Sequence, residues 1–222
     1  MKRFTLALAA LILSAAALFA QSPTTTYPYL YDQFTPGKVV MVGGRTEEWK
    51  LNIHLRRDAL HYLDGGIVKE AYLADVLAVE IGDEVFVPVM GRMMKAVAKN
   101  DRGCIAQEIL GDFSGSMEAT GAYGTSSTSS ATMKLTSIQT DAQVNQNYMN
   151  ILNERDNGVA LSTVSTYYVV SPLYKVKATK KDVSASLPAD RQAAFKTFLK
   201  SHKIKWKNPQ SLLEVLDFLC EE

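Results

Sequence analysis

The sequence predicts an α+β fold: a mainly antiparallel β body, barrel-like or a sandwich, followed by two C-terminal helices. Short β-favouring runs separated by turn residues fill residues 38–110. Strict alternation of apolar and polar side chains recurs within these runs, whereas residues 189–219 change to helical spacing. With 222 residues, 47% of them hydrophobic, the chain can bury a core and is too short for more than one or two domains.

The β body is expected over residues 27–178. One run alternates apolar and polar side chains over eight positions, which predicts a strand buried on one face. Its apolar members are Trp49, Leu51, Ile53 and Leu55, and its polar members are Glu48, Lys50, Asn52 and His54. Further strands are expected at 39–42, 60–63, 76–81, 85–89, 93–98, 104–110, 166–170 and 174–178. Glycine-rich turns between them predict hairpins and an antiparallel meander.

Residues 111–141 interrupt the β pattern. They contain six consecutive Ser or Thr residues, Thr125 to Ser130, within a stretch rich in Gly and Ala. Such a tract buries too little apolar area to offset its ordering entropy, which predicts a flexible polar excursion. A functional lid is the alternative. A helix is expected from Ala142 to Arg155, where apolar side chains fall at helical spacing.

The C-terminal segment, residues 179–222, is predicted to be helical. One helix is expected over Ala189 to His202, with an apolar stripe of Phe195, Phe198 and Leu199. Asn208 and Pro209 are suited to be the N-cap and first residue of a second helix. The apolar face of this second helix consists of Leu212, Val215, Leu216 and Leu219.

The first 20 residues have the three parts of a secretory signal peptide. Lys2 and Arg3 precede an apolar run from Phe4 to Leu13, and small residues precede Ala20. The run is shorter than the roughly 20 residues that span a bilayer, which favours cleavage over an uncleaved membrane anchor. We therefore expect an exported protein, periplasmic or associated with the cell envelope, that does not span the membrane once the signal is removed.

Cysteine and histidine residues give no sign of a metal or cofactor site. Export would place Cys104 and Cys220 in an oxidising compartment, where pairing is one alternative and two unpaired thiols are the favoured one. His54 and His61 are expected on adjacent strands, close to each other. No acidic or cysteine partner accompanies them at metal-ligand spacing, so they are interpreted as solvated or hydrogen-bonded histidines. The prediction is that no cofactor is bound.

Charge is distributed unevenly along the chain. The whole chain carries 24 basic and 23 acidic residues, which gives no support to a nucleic-acid binder. Residues 175–207, however, contain ten Lys or Arg and only two Asp. A solvated helix face is the favoured interpretation of this segment, and binding to an envelope protein, a glycan or an anionic lipid is the alternative. The predicted contact residues are Lys196, Lys200, Lys203, Lys205 and Lys207.

Catalytic motifs are missing from the sequence. It contains no Gly-x-Ser-x-Gly elbow, no Ser-x-x-Lys, no Walker loop and no dinucleotide fingerprint. The leading hypothesis is therefore a non-enzymatic periplasmic or surface-associated binding or accessory protein. The alternative is an envelope hydrolase or isomerase whose site is assembled from sequence-distant residues, with residues 111–141 as its lid.

Several short motifs add a resemblance to this interpretation. They are Tyr29-Leu30-Tyr31-Asp32-x-Phe34-x-Pro36-Gly37-x-Val39, Lys50-Leu51-Asn52, Val85-Phe86-Val87-Pro88 and Lys200 through Trp206. In these the chain resembles a family of exported, Bacteroidetes-type bacterial proteins for which no function is established. The resemblance covers the β-rich part and the helical tail, and it implies an envelope or secreted location and a β-rich body with C-terminal helices. It carries over no catalytic residue, cofactor or substrate.

Overall fold

The computed structural model describes residues 24–25, 28–112, 144–155 and 161–221. The signal peptide predicted over 1–20 and nearly all of the excursion predicted over 111–141 lie outside these residues. The strands within them are β1 (Thr24–Thr25), β2 (Thr35–Met41), β3 (Thr46–His54), β4 (Ala59–Asp64), β5 (Ile67–Glu70), β6 (Val76–Ile81), β7 (Glu84–Val89), β8 (Arg92–Asn100), β9 (Gly103–Gly111), β10 (Leu161–Val170) and β11 (Lys175–Lys177). The α-helices are α1 (Tyr148–Arg155), α2 (Lys180–Ser186), α3 (Ala189–Ser201) and α4 (Pro209–Cys220).

The described strands form one antiparallel sheet, which confirms the α+β class and the mainly antiparallel body. Its order is β1-β10-β9-β8-β7-β6-β2-β3-β4-β5, and β11 pairs with β10. Most neighbours in the sheet are also neighbours in sequence, because short turns such as Gly65-Gly66 return the chain directly. The order describes an open path of strands.

Strand β3 differs from its prediction. The sequence predicts burial on one face, but Asn52 and His54 on the expected polar face are buried. The chain at 28–34 covers them: the Asn52 side chain donates to the carbonyl of Tyr31 at 2.7 Å and accepts from its amide at 3.0 Å. Tyr29 forms an isolated bridge with His54. Burial on both faces thus results from an N-terminal segment whose path the alternation does not encode.

The turn between β3 and β4 folds over a distant part of the sheet. The amide of Met93 in β8 donates to the carbonyl of Asp58 at 2.7 Å, and the amide of Gly111 in β9 donates to the carbonyl of Leu55 at 2.9 Å. Asp58 has a φ of 50° and is almost completely buried. These contacts bring the β3–β4 turn against β8 and β9, although four strands separate β8 from β4 in the sheet order.

Helix α4 packs against the strands β8, β9 and β10. Its predicted apolar face is buried, and the same core contains Ala98, Ile105 and Val169 from those strands. Asn208 is the N-cap, as predicted: its side chain accepts from the amides of Gln210 and Ser211, and Pro209 is the first helical residue. The sequence therefore located both the start and the buried side of this helix.

The prediction of two C-terminal helices is wrong by one helix. The additional helix, α2, has seven residues, and Val183 is its buried apolar side chain. Thr179 caps it by accepting from the amide of Asp182 at 3.1 Å. One buried side chain produces no visible apolar stripe, so periodicity did not reveal this helix. None of the helices in the described part of the chain combines the length and apolar character needed to span a bilayer.

Helix α1 is shorter than the predicted helix from Ala142 to Arg155. It begins at Tyr148 because the preceding residues lie along the edge of β5 instead. The amide of Asn145 donates to the carbonyl of Val68 at 2.7 Å, and the Val68 amide donates to the carbonyl of Gln146 at 3.0 Å. The Asn147 side chain then accepts from the Met149 amide, which starts the helix.

Candidate functional site

The five lysines predicted to bind anions are all exposed. Lys196 and Lys200 lie one turn apart on α3. The linker after α3 alternates exposed lysines with Ile204 and Trp206, which are half-buried against the helical core. Within the described residues, no carboxylate lies within 4 Å of any of the five ammonium groups. The alternation therefore directs apolar side chains inward and positive charge outward.

Aromatic contacts fix α3 on α4. Phe195 is buried, and the centroid of its ring lies 5.3 Å from that of Phe218. The Phe198 ring stacks on Phe218 with a centroid distance of 4.8 Å. This is the anchoring that the apolar stripe of α3 predicts, and it leaves the opposite face of the helix in solvent.

Arg191 belongs to the fold rather than to the exposed basic surface. Its guanidinium donates to the carbonyls of Phe218 at 2.6 Å and Leu219 at 3.2 Å, and it lies 5.2 Å from the centroid of the Phe218 ring. The last carbonyls of a helix lack partners within the helix and carry partial negative charge. Arg191 satisfies them at the end of α4, so its charge is directed inward.

A shallow cleft between α2 and α3 adds two lysines that the sequence did not single out. Its volume is about 490 Å³, and it is lined by Lys180, Lys181, Ser184, Ala185 and Gln192. Ammonium, hydroxyl and amide groups all donate hydrogen bonds, and no carboxylate lines the cleft. The pattern Thr179-x-x-Asp182 at the start of α2 is a helix-start signal, and it would have located this helix from the sequence.

A second group of polar side chains surrounds the histidines. His54 and His61 stack with their ring centroids 5.1 Å apart, which confirms that adjacent strands bring them together. Both are buried, so neither is a solvated histidine, and His61 is hydrogen-bonded. The Tyr29 hydroxyl lies 2.9 Å from Nδ1 of His61, and Nε2 of His61 lies 3.5 Å from a carboxylate oxygen of Glu70.

Burial determines the protonation of this group. It lowers the pKa of His61 to about 4, with a smaller contribution from the positive charge of Arg57. Burial also raises the pKa of Tyr29 far above its usual range, so the hydroxyl keeps its proton and donates to Nδ1 of His61. Neutral His61 then carries its proton on Nε2, facing Glu70. The arrangement links Tyr29 to an ion pair in which Arg57 donates to Glu70 at 3.3 Å.

Asp58 and Glu108 form a third group, beneath the β3–β4 turn. Both carboxyl groups are buried, and Glu108 accepts from Arg92. Burial and the charge of Glu108 raise the pKa of Asp58 to about 8, and Arg92 and the Ile109 amide oppose the shift only in part. Neither oxygen of Asp58 has a well-formed hydrogen bond in the described structure. Asp58 is thus a neutral acid at pH 7, held within the fold.

Cys104 and Cys220 are free thiols, both half-buried. Burial raises the pKa of Cys104, which keeps the thiol protonated and weakly nucleophilic. In the described ranges, no group of three or more His, Cys, Asp or Glu side chains is arranged to hold a metal ion.

Comparisons of the chain with protein-family models, curated proteins and solved structures found no match.

Proposed function

We propose that this chain is an exported, non-enzymatic binding or accessory protein whose C-terminal segment binds an anionic component of the cell envelope. The observation that carries the proposal is the exposure of Lys196, Lys200, Lys203, Lys205 and Lys207. These lysines follow one another along α3 and its linker, whereas Arg191 is turned inward. Phosphate or carboxylate groups repeated along a lipid surface or a glycan match such a row of point charges.

The proposal predicts binding that depends on charge and salt. Exposed charges are screened over about 8 Å at physiological ionic strength, so raising the salt should release the protein. Each lysine near an anionic membrane contributes about 1 kcal/mol. Replacing Lys200 and Lys203 with Gln should therefore weaken binding about thirtyfold, and replacing all five lysines should abolish it.

Co-sedimentation with vesicles of phosphatidylglycerol or phosphatidylcholine, together with retention on immobilised heparin, tests this at low and high salt. Vesicle binding would identify a lipid surface as the source of the anion, and heparin binding alone would identify a glycan. The matched control is Lys50→Gln with Lys99→Gln, which removes two exposed charges from the sheet. Equal binding by the Lys200/Lys203 variant and this control would refute the proposal.

We also propose the barrel-like curvature predicted for the β body, in preference to a sandwich. Residues 24–25 pair with β10, and Tyr29 pairs with His54 in β3. Four residues of extended chain reach at most about 14 Å, so β10 and β3 approach each other here. The bonds from the β3–β4 turn to β8 and β9 support the same curvature.

A hydrolase or isomerase is the second proposal, and one observation favours it. Arg57 and Glu70 line a cleft of about 370 Å³, and Glu70 connects this cleft to His61 and the Tyr29 hydroxyl. Perturbed pKa values beside a cleft are typical of catalytic sites. Tyr29 and His61 are, however, about 1% exposed. Their contacts hold the N-terminal segment on β3 and β4, so the binding function remains our first proposal.

A further inference from the structure

Strands β6 and β7 part at one end, and Pro88 provides the physical reason. A two-residue turn joins them, so Ile81 and Glu84 beside the turn form a hydrogen-bonded pair, and such pairs recur at every second residue. The next is Val79 with Phe86, which is the last pair in this ladder. The following one would join Leu77 to Pro88. Proline has no N–H to donate, so the ladder ends and the strands diverge.

A groove of about 570 Å³, lined mostly by apolar residues together with Lys175 and polar surface, lies where the strands diverge. The residues that line it include Val42, Leu77, Val87, Pro88, Met90 and Lys175. We call it the β6–β7 groove. Val42, Leu77 and Met90 are 59%, 52% and 69% exposed, so three large apolar side chains face solvent together. No carboxylate lines the groove. A cluster of exposed apolar side chains is typical of a binding site.

Met90 breaks a local rule of hairpin sequence. It is the first residue of the two-residue turn between β7 and β8, with a φ of 53°, followed by Gly91 at 79°. This position favours Gly, Asn or Asp, because other L-residues are strained there. The Met90 side chain is mostly exposed, so packing does not compensate for the strain. A local rule broken without compensation in the folded chain indicates a functional position.

The apolar surface continues beyond the groove. Leu73, Ala74 and Gly91 also line the neighbouring cleft that contains Arg57. Lys175, which also lines the groove, is exposed, and no carboxylate of the described residues lies within 4 Å of it. The combination of exposed apolar side chains and one positive charge in the same groove complements a ligand with a hydrocarbon chain and an anionic head.

We propose that the β6–β7 groove binds an amphipathic anion, with the hydrocarbon chain along Leu77 and Met90 and the carboxylate or phosphate at Lys175. This site is separate from the lysines of α3 and its linker. It predicts binding of a single amphiphile in solution, without a membrane surface.

Titration calorimetry with dodecanoate below its aggregation concentration tests the proposal. The wild-type protein should bind dodecanoate at one site and should bind dodecyltrimethylammonium at least tenfold more weakly. Met90→Asn and Leu77→Asn should each reduce dodecanoate affinity about tenfold, because each removes apolar contact area. Asn is well suited to the backbone of residue 90, so this variant keeps the fold.

Lys175→Gln tests the contact with the anionic head of the ligand separately from the contacts with its hydrocarbon chain. It should weaken dodecanoate binding while leaving the binding of uncharged dodecanol unchanged. Val164→Asn and Lys177→Gln are the matched controls, since both residues are exposed outside the groove. The proposal is overturned if dodecanoate does not bind the wild type, if the groove variants match the controls, or if these variants change only self-association in sedimentation experiments.

Discussion

Replacing Asp58 with Asn removes one buried ionisable group with little change of shape. The carboxyl is about 1% exposed and has a pKa of about 8, because burial and Glu108 both disfavour its charged form. Asn has the same size and is among the residues that tolerate a φ of 50°. The substitution therefore changes the titration of the protein while preserving the turn.

Whether stability rises or falls with pH follows from comparing the pKa of each group in the folded and the unfolded chain. Between pH 3.8 and about 8 the unfolded chain loses the Asp58 proton while the folded chain keeps it, so the free energy of unfolding falls by about 6 kcal/mol as pH rises. His61 acts oppositely between about pH 4 and 6.5: its imidazole is neutral only in the folded chain, so stability rises with pH by about 3 kcal/mol.

In the wild type these two slopes cancel between about pH 4 and 6.5. Above pH 6.5 only the Asp58 slope remains, and stability should fall by about 2 kcal/mol up to pH 8. The Asp58→Asn variant should instead gain about 3 kcal/mol between pH 4 and 6.5 and then stay level.

Urea unfolding followed by circular dichroism, at half-unit intervals from pH 4 to 8.5, measures both profiles. Asp64→Asn is the control, because Asp64 is exposed beside the β4–β5 turn and should leave the shape of the profile unchanged. An Asp58→Asn profile parallel to that of the wild type within about 0.5 kcal/mol would refute the buried, protonated state of Asp58.

Two further substitutions test the packing of the sheet. Tyr29→Phe removes the hydroxyl bonded to His61. It should lower the free energy of unfolding by about 1–3 kcal/mol in urea titrations, because a buried acceptor loses its partner. An equal effect of the control Tyr62→Phe, in the strand β4 that also contains His61, would contradict this role. Gly103→Ala places a Cβ in steric conflict with the carbonyl oxygen of Val170 and should lower the free energy of unfolding by about 1–3 kcal/mol. A melting temperature equal to that of the wild type would show that the β9–β10 pair accommodates the added methyl group without loss of stability.

The elements that the sequence predicted are those whose signal is local. Asn208 and Pro209 lie directly before the helix that they start, so this signal was visible without knowledge of the fold. The proximity of His54 and His61 followed from the expected pairing of adjacent strands.

The features that the sequence did not predict depend on contacts between distant residues. Asp58 occupies an ordinary turn position, and its burial results from β8 and β9 lying against that turn. Tyr29 contacts His61 only because the N-terminal segment crosses β3 and β4. The β6–β7 groove depends on which strand faces Pro88, which is a property of the register and not of the local pattern.

The pairing of β1 with β10 bears on the order in which the chain assembles. Thr24 pairs with Ser162, so the strand pair β1–β10 cannot form until β10, one of the last strands, is present. The ribosome synthesises the chain from its N-terminus. Closing the long loop between Thr24 and Ser162 is unfavourable until the intervening hairpins have formed and brought its ends closer. β1 is therefore added late. A nascent or truncated chain that ends before β10 exposes an N-terminal segment that proteases and chaperones can recognise.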